Sequence, residues 1–256
     1  MSVVGFKRGA AAASAALTAA AMLALGGCSE GLPEVHSISS LSSLVSSSPA
    51  PEKPKGDQPV NVAELITPGA LGDIAIGKAN APVTIVQYVS LNCTNCSSFH
   101  SQMLPKLKKA YIDKGKARLI VREFPEDGAS VTAALALRCV PANDYFKAAE
   151  KLFAHQKEWT GTEANKDALY KAVKFTGLKR DKFDACLADQ AIVQAINTDK
   201  ERAKSFGVAV SPTFFVNGKK MAGTVSFEEL QSAVETAYAA TQAPAAAAQP
   251  AQKPKA

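Results

Sequence analysis

Histidine and cysteine are scarce in this chain, blocks of like charge are missing and no internal repeat occurs, and each shortage removes a class of function. Of 256 residues only three are histidines, His36, His100 and His155, and only five are cysteines. A structural zinc site needs four ligands, commonly two Cys-x-x-Cys pairs or one such pair with two nearby histidines. One Cys-x-x-Cys is present and the histidines are scattered, so no metal is expected; the one partial set is Cys93, Cys96 and His100. The formal charge is +6, yet lysines and arginines are spread along helical stretches, with no run interleaved with aromatics. That pattern reads as a solvated surface, and no nucleic-acid partner is expected.

What is present begins with a targeting segment. Lys7 and Arg8 precede an alanine-rich apolar run that closes on "LGGC", Leu25 to Cys28. A basic region, an apolar region and small residues before a cleavage point read as a secretory signal over residues 1–27. The run from Gly9 to Gly27 is barely long enough to span a bilayer, and alanine contributes weakly to insertion. The "LGGC" stretch resembles the lipoprotein box, in which the thiol of Cys28 takes the lipid. The expected address is therefore oxidising and extracytoplasmic, in the periplasm and anchored to the envelope membrane by lipid. Residues 28–59 are rich in Ser and Pro, too poor in apolar groups to fold, and read as a tether reaching about 30–35 Å. Residues 241–256 form a second low-complexity tail.

Between residues 60 and 240 the pattern is that of an α/β domain. "DIAIG" (Asp73–Gly77) alternates, and "VTIVQYVS" (Val83–Ser90) is a buried strand. Phe99, Met103, Leu104, Leu107 and Tyr111 recur at helical spacing, with Pro105 expected to kink that helix and Gly115 to close it. "ARLIVREFP" (Ala117–Pro125) is a second buried strand, so a βαβ unit with parallel strands follows. Four or five helices come next, at about 128–206. The first runs from about Ala129 to Pro141; the second, through "NDYFKAAEKLFAHQKEW", aligns Phe146, Ala149 and Phe153; others end at Thr176, Leu187 and Gly207. "SPTFFVNGKKMAG" (Ser211–Gly223) reads as a hairpin turning at Asn-Gly, and Ser226 caps a last helix with Glu228 and Glu229 in its first turn.

The chemistry is concentrated in "NCTNCSSFH", Asn92 to His100. Five cysteines, Cys28, Cys93, Cys96, Cys139 and Cys186, make an odd count, and lipidation of Cys28 leaves two pairs. Cys93 and Cys96 stand at i and i+3 in a first helical turn, where Cβ atoms are about 5–6 Å apart. A disulfide needs about 3.5–4.5 Å, a gap a tighter first turn can close. The helix N-terminus presents unpaired N–H groups that stabilise a thiolate. Cys93, nearer the start, is expected to be exposed and nucleophilic, and Cys96, one turn in, shielded. Two inert core thiols fit an oxidising compartment poorly.

Taken together, "YVSLNCTNCSSFH", "REFP", the helical insertion and "VAVSPTFFVNGKK" resemble, in order, the DsbA-like thiol–disulfide oxidoreductases of the thioredoxin superfamily. The resemblance covers about Asp73 to Ala240. It implies a thioredoxin-like fold, with the helical insertion between the βαβ unit and a C-terminal ββα unit. It implies that Cys93 is the nucleophile and Cys96 the resolving thiol, that Pro212 is a cis-proline facing them, and that Ser211 lends its backbone to an extended substrate chain. Some members carry a second disulfide in the insertion, which implies a structural bridge between Cys139 and Cys186. The implied partners are exported polypeptides and a membrane redox protein; a monomer without metal or organic cofactor is expected.

Three departures bear on direction and rate. Thr94-Asn95 replaces the histidine-containing dipeptide of strongly oxidising members, which predicts a less depressed Cys93 pKa. Gln87 stands six residues before Cys93, where the family usually has a buried acid as proton acceptor for the inner thiol, so resolution through Cys96 is expected to be slow or to use water. Ser211 stands where Thr or Val is more usual. Oxidase is the direction the family implies. Reductase or isomerase is the alternative, and a peptide- or metal-binding lipoprotein without turnover is the rival from another class.

Overall fold

The computed structural model describes residues 60–242. The signal sequence, Cys28, the tether and the tail beyond residue 242 lie outside the described residues. A five-stranded sheet is built from β1 (Ile74–Ile76), β2 (Val83–Val89), β3 (Ala117–Glu123), β4 (Thr213–Val216) and β5 (Lys219–Ala222). The spatial order is β1-β3-β2-β4-β5, with β2 and β3 parallel and the other neighbours antiparallel. The early and late parts of the chain thus share one sheet, because β4 pairs directly with β2 through contacts such as Gln87 opposite Phe214.

Every residue of β2 is buried, as a strand covered on both faces requires. Ile85 and Val89 join Leu119, Val121, Phe214 and Val216 in one core. Val86 and Tyr88 join Ile120 and Phe215 in another on the opposite face. That second face is closed by Phe206, Val208 and Leu65, the last from a short helix α1 (Val62–Ile66). The domain is expected to open at about residue 60, but its first expected element is the strand at Asp73, so α1 is not foreseen. Five residues are too few for periodicity to register, and the remaining signal is Asn61, whose side chain caps the N–H groups of Ala63 and Glu64. Buried Arg122 of β3 ties this segment down, donating to Leu65 O at 2.7 Å, Thr67 O at 3.0 Å and Asp73 Oδ1 at 2.9 Å.

Between β2 and β3 lies one helical rod, α2, made of α-helical stretches at Thr94–Ser98 and Leu104–Leu107 and π-helical turns at Phe99–Met103 and Lys108–Ile112. The break expected at Pro105 takes the form of the π turn before it, where Leu104 N–H reaches back to Phe99 O.

The insertion comprises α3 (Gly128–Arg138), α4 (Tyr145–Ala154), α5 (Gln156–Trp159), α6 (Lys166–Val173), α7 (Arg180–Leu187) and α8 (Gln190–Ser205). Asp127 and Ser130 form a capping box that starts α3. The single helix expected through "NDYFKAAEKLFAHQKEW" divides at His155, whose backbone leaves helical geometry at φ −109° and ψ 20°. The buried face of α4 is Tyr145, Ala148, Ala149, Leu152 and Phe153, while Phe146 is only partly covered. The hairpin turns at Asn217 (φ 44°) and Gly218 (φ 87°), both in the left-handed region that a two-residue turn demands. Ser226 and Glu229 cap each other's backbone at the start of α9 (Phe227–Gln242), which runs two residues into the stretch read as tail.

Candidate functional site

The chain leaves β2, turns at Ser90 through the Cys93 N–H to Ser90 O bond at 3.2 Å, and enters α2 with Cys93 as its N-cap. Cys93 has extended backbone (φ −87°, ψ 120°), so its side chain folds back over the first turn and its Sγ receives the Cys96 N–H at 3.0 Å. Cys93 and Cys96 are joined by a disulfide with Cα atoms 5.2 Å apart. Their surroundings differ: Cys96 is 0% exposed and packed in the main core, whereas Cys93 is half-buried at its edge. A sulfur at an N-cap receives backbone N–H groups and the positive end of the helix, which stabilises it as a thiolate.

Three elements clamp this loop. Gln156, at the start of α5, donates through Nε2 to Leu91 O at 2.6 Å and to Cys93 O at 3.2 Å. Asn92 Nδ2 donates to Asp127 Oδ2 at 2.7 Å, and Asn95 Nδ2 donates to Thr224 Oγ1 at 2.8 Å. Gln156 was not among the residues that sequence reasoning selected. The local pattern carries no signal for it, since the break at His155 that precedes it has none either.

Facing Cys93 is the loop that leads into β4. The Ser211–Pro212 peptide bond is cis, and Ser211 O lies 3.5 Å from Cys93 Sγ. Ser211 Oγ donates to Phe124 O at 3.4 Å, and its N–H donates to Glu126 Oε1 at 3.0 Å. Just upstream, Ala209 and Val210 are exposed, Val210 at 44%. An apolar side chain therefore stands open one residue before Ser211.

Gln87 lies on the β2 face that α2 covers, with His100 above it, and both are buried. His100 Nε2 and Gln87 Oε1 are 3.1 Å apart, so the ring donates to the amide oxygen. The ring packs against Phe153 at 4.8 Å and Phe99 at 5.4 Å between centroids. Burial pushes the His100 pKa down to about 4, and the imidazole is neutral at ordinary pH. Cys96 and His100 are one turn apart on the same face of α2. Position 87 thus holds a neutral amide paired with a neutral imidazole. Among the described residues no three His, Cys, Asp or Glu side chains converge as a metal site would need, and the trio of Cys93, Cys96 and His100 is not assembled in this disulfide form.

Cys139, at the C-cap of α3, is joined to Cys186 in the last turn of α7, with Cα atoms 5.9 Å apart. The neighbouring Arg138 forks onto Glu123 of β3, and Tyr145 OH donates to the same carboxylate at 2.7 Å. Burial first, then the Glu123 charge, hold the Tyr145 phenol well above its ordinary pKa, so it stays a donor. This buried cluster fixes the insertion to the strand whose continuation carries Phe124 and Glu126.

A family model described as thioredoxin matches residues 70–236. A putative protein-disulfide oxidoreductase of Rickettsia conorii is 29% identical over 168 residues, 64% of this chain and 60% of that protein. Disulfide bond formation protein D of Bacillus subtilis is 27% identical, over 66% of this chain and 78% of its own length. Among solved structures, alpha-DsbA1 of Wolbachia pipientis superimposes with a TM-score of 0.65 at 28% identity, covering 71% of this chain and 98% of that one. The chain spans about 60% of the length of the rickettsial relative it matches.

Proposed function

This chain belongs to the thioredoxin family, and from that premise we propose that it is an extracytoplasmic thiol–disulfide oxidoreductase acting on exported polypeptides. The observation that carries the reading is the asymmetry of the pair: Cys93 is partly buried with its Sγ 3.5 Å from Ser211 O, while Cys96 is fully buried. In the oxidising direction a substrate thiolate attacks Cys93 Sγ. The Cys93–Cys96 bond breaks, and Cys96 leaves with the electron pair and takes up a proton. A second substrate thiolate then attacks the substrate sulfur of the mixed disulfide and expels Cys93 as a thiolate held at the helix N-cap. Two electrons pass to the protein, and a membrane redox partner removes them.

The remaining assignments complete this reading. Ser211 and Pro212 carry the backbone that an extended substrate chain lies against, in the manner of strand addition. Gln87, in the proton-relay position, is paired with a neutral imidazole, so the proton taken up by Cys96 comes from solvent and not from a buried acid. The Cys139–Cys186 bridge is structural. Cys28 takes the lipid, and residues 28–59 hold a monomeric domain off the membrane of the periplasm. A reductase or isomerase direction is the second reading; the Asn95 amide, bonded to Thr224 and carrying no charge beside Cys93, favours it.

The test is equilibration of the chain, with Cys28→Ser, in glutathione buffers of graded ratio, followed by alkylation and mass spectrometry of Cys93 and Cys96. A reversible transition at or above roughly −180 to −120 mV assigns an oxidase or isomerase, and one near about −270 mV a reductase. The absence of any reversible transition sinks the enzyme reading and leaves a binding protein.

A further inference from the structure

Ser211 is the residue whose backbone a substrate must meet, because its carbonyl is the group 3.5 Å from Cys93 Sγ. In an antiparallel pairing a residue exchanges both its C=O and its N–H with the strand laid beside it. The β2–β4 ladder ends at Tyr88 opposite Thr213, so Ser211 lies two residues beyond the last paired residue of β4. The carbonyl faces the sulfur. The N–H is already taken, by the carboxylate of Glu126 at 3.0 Å. Glu126 is exposed and sits in the turn between Pro125 and the capping box of α3, a turn held rigidly from both sides. Behind it, Glu123 is locked to Arg138 and Tyr145; ahead of it, Asp127 is held by the Ser130 N–H and by Asn92.

We infer that Glu126 selects the substrate: its carboxylate stands in for the substrate carbonyl on the Ser211 N–H, and a chain with a basic residue beside its cysteine releases it. This rests on the exchange reading given above. An incoming backbone carbonyl must displace Glu126 Oε1 to complete its pairing with Ser211. The displaced carboxylate then stands next to the docked chain. A lysine or arginine flanking the substrate cysteine pairs with it and compensates the lost hydrogen bond; an aspartate or glutamate is repelled. Asp127, whose partial burial raises its pKa but is outweighed by the bonds from the Ser130 backbone and the Asn92 amide, is held below its ordinary value and adds to the negative field. Lys200 of α8, whose Nζ lies 5.7 Å from the centre of the Phe124 ring, is a nearby cation that opposes this field. At surface separations of about 6 Å, exchanging a lysine for a glutamate opposite one carboxylate changes a rate by about tenfold.

The experiment uses the oxidised full chain and three short reduced peptides, identical but for Lys, Gln or Glu on either side of one cysteine. Stopped-flow formation of the mixed disulfide at Cys93 is followed in the wild type, in Glu126→Gln and in Glu126→Ala. Charge next to a thiol alters its own reactivity, so the quantity read is the Lys-to-Glu rate ratio of the wild type divided by that of Glu126→Gln, which cancels the peptides' chemistry. A quotient of about ten, falling toward one in about 0.5 M salt, is the expected result. The Gln side chain keeps an acceptor for the Ser211 N–H, whereas Ala frees it, so the uncharged peptide reacts about fivefold faster with Glu126→Ala than with Glu126→Gln. A quotient of one, or an uncharged peptide indifferent to Ala against Gln, overturns the role of Glu126 while leaving exchange intact. Failure of every peptide to form a mixed disulfide with the wild type overturns the exchange reading itself.

Discussion

Cys93–Cys96 and Cys139–Cys186 are the same covalent bond in opposite surroundings. The first joins residues three apart at the mouth of a helix, with Cys93 partly buried against the Ser211–Pro212 loop and Cys96 fully buried. The second joins residues 47 apart, across two helices whose partners are apolar side chains and a buried ion pair. In the chain-entropy account the long loop is worth about 4 kcal/mol and the short one less than half of that. Removing the first therefore costs little stability, while the N-cap favours the thiolate that its cleavage produces. The second has no such thiolate site, and its cleavage releases a long loop. Under the proposed exchange function one bridge opens and the other stays closed, and the difference lies in what surrounds the sulfur.

The sharpest way to break the comparison is to remove one sulfur from each bridge. Cys93→Ser is expected to lower peptide exchange by at least about 10³-fold, since Cys93 is the sulfur that faces Ser211. Cys186→Ser should leave the exchange rate within a few-fold. A loss of exchange in Cys186→Ser comparable to that in Cys93→Ser would erase the distinction. Stability should move in the opposite sense. Replacing Cys139 and Cys186 together by Ala is expected to cost about 2–4 kcal/mol by urea denaturation at pH 7, and selective reduction of Cys93–Cys96 clearly less.

A third prediction concerns the neutral pair beneath the first bridge. His100 has a folded pKa of about 4 against an ordinary 6.5, so its burial is fully tolerated above pH 6.5. As pH falls from there toward 4 the unfolded chain binds a proton that the folded chain does not, and stability is lost. The loss attributable to this group approaches about 3 kcal/mol near pH 4. His100→Phe should therefore show a flatter dependence of urea midpoint on pH between 6.5 and 4 than the wild type; parallel curves would mean the imidazole is not held neutral. The smallest effect expected is that of Gln156→Ala. Losing the clamp on Leu91 O and Cys93 O should slow mixed-disulfide formation several-fold, for a cost of about 1 kcal/mol, with the melting temperature shifted by only a few degrees.

How much of this was legible beforehand follows from the range of each interaction. Cys93 and Cys96 were found because the motif lies within one helical turn and follows a run of β-branched residues. The hairpin was found because Asn217-Gly218 requires positive φ twice, a property of two adjacent residues. The helix through Tyr145 was found, but its break at His155 was not, because nothing in the local pattern forbids the helix from continuing. α1 was missed because its stability comes from Arg122 and the second core and not from its own five residues.

The sequence by itself determined the elements, the α/β class and the identity of the reactive pair, since spacing, turn residues and hydrophobic period act over a few residues. Only the tertiary structure decided what each sulfur meets. Ser211 reaches Cys93 across 118 residues, Gln156 reaches it across 63, and Glu126 reaches Ser211 across 85. Those meetings depend on how β4 pairs with β2 and how the insertion packs on α2. Such geometry is set by the burial of whole faces and leaves no mark on the local pattern of the chain.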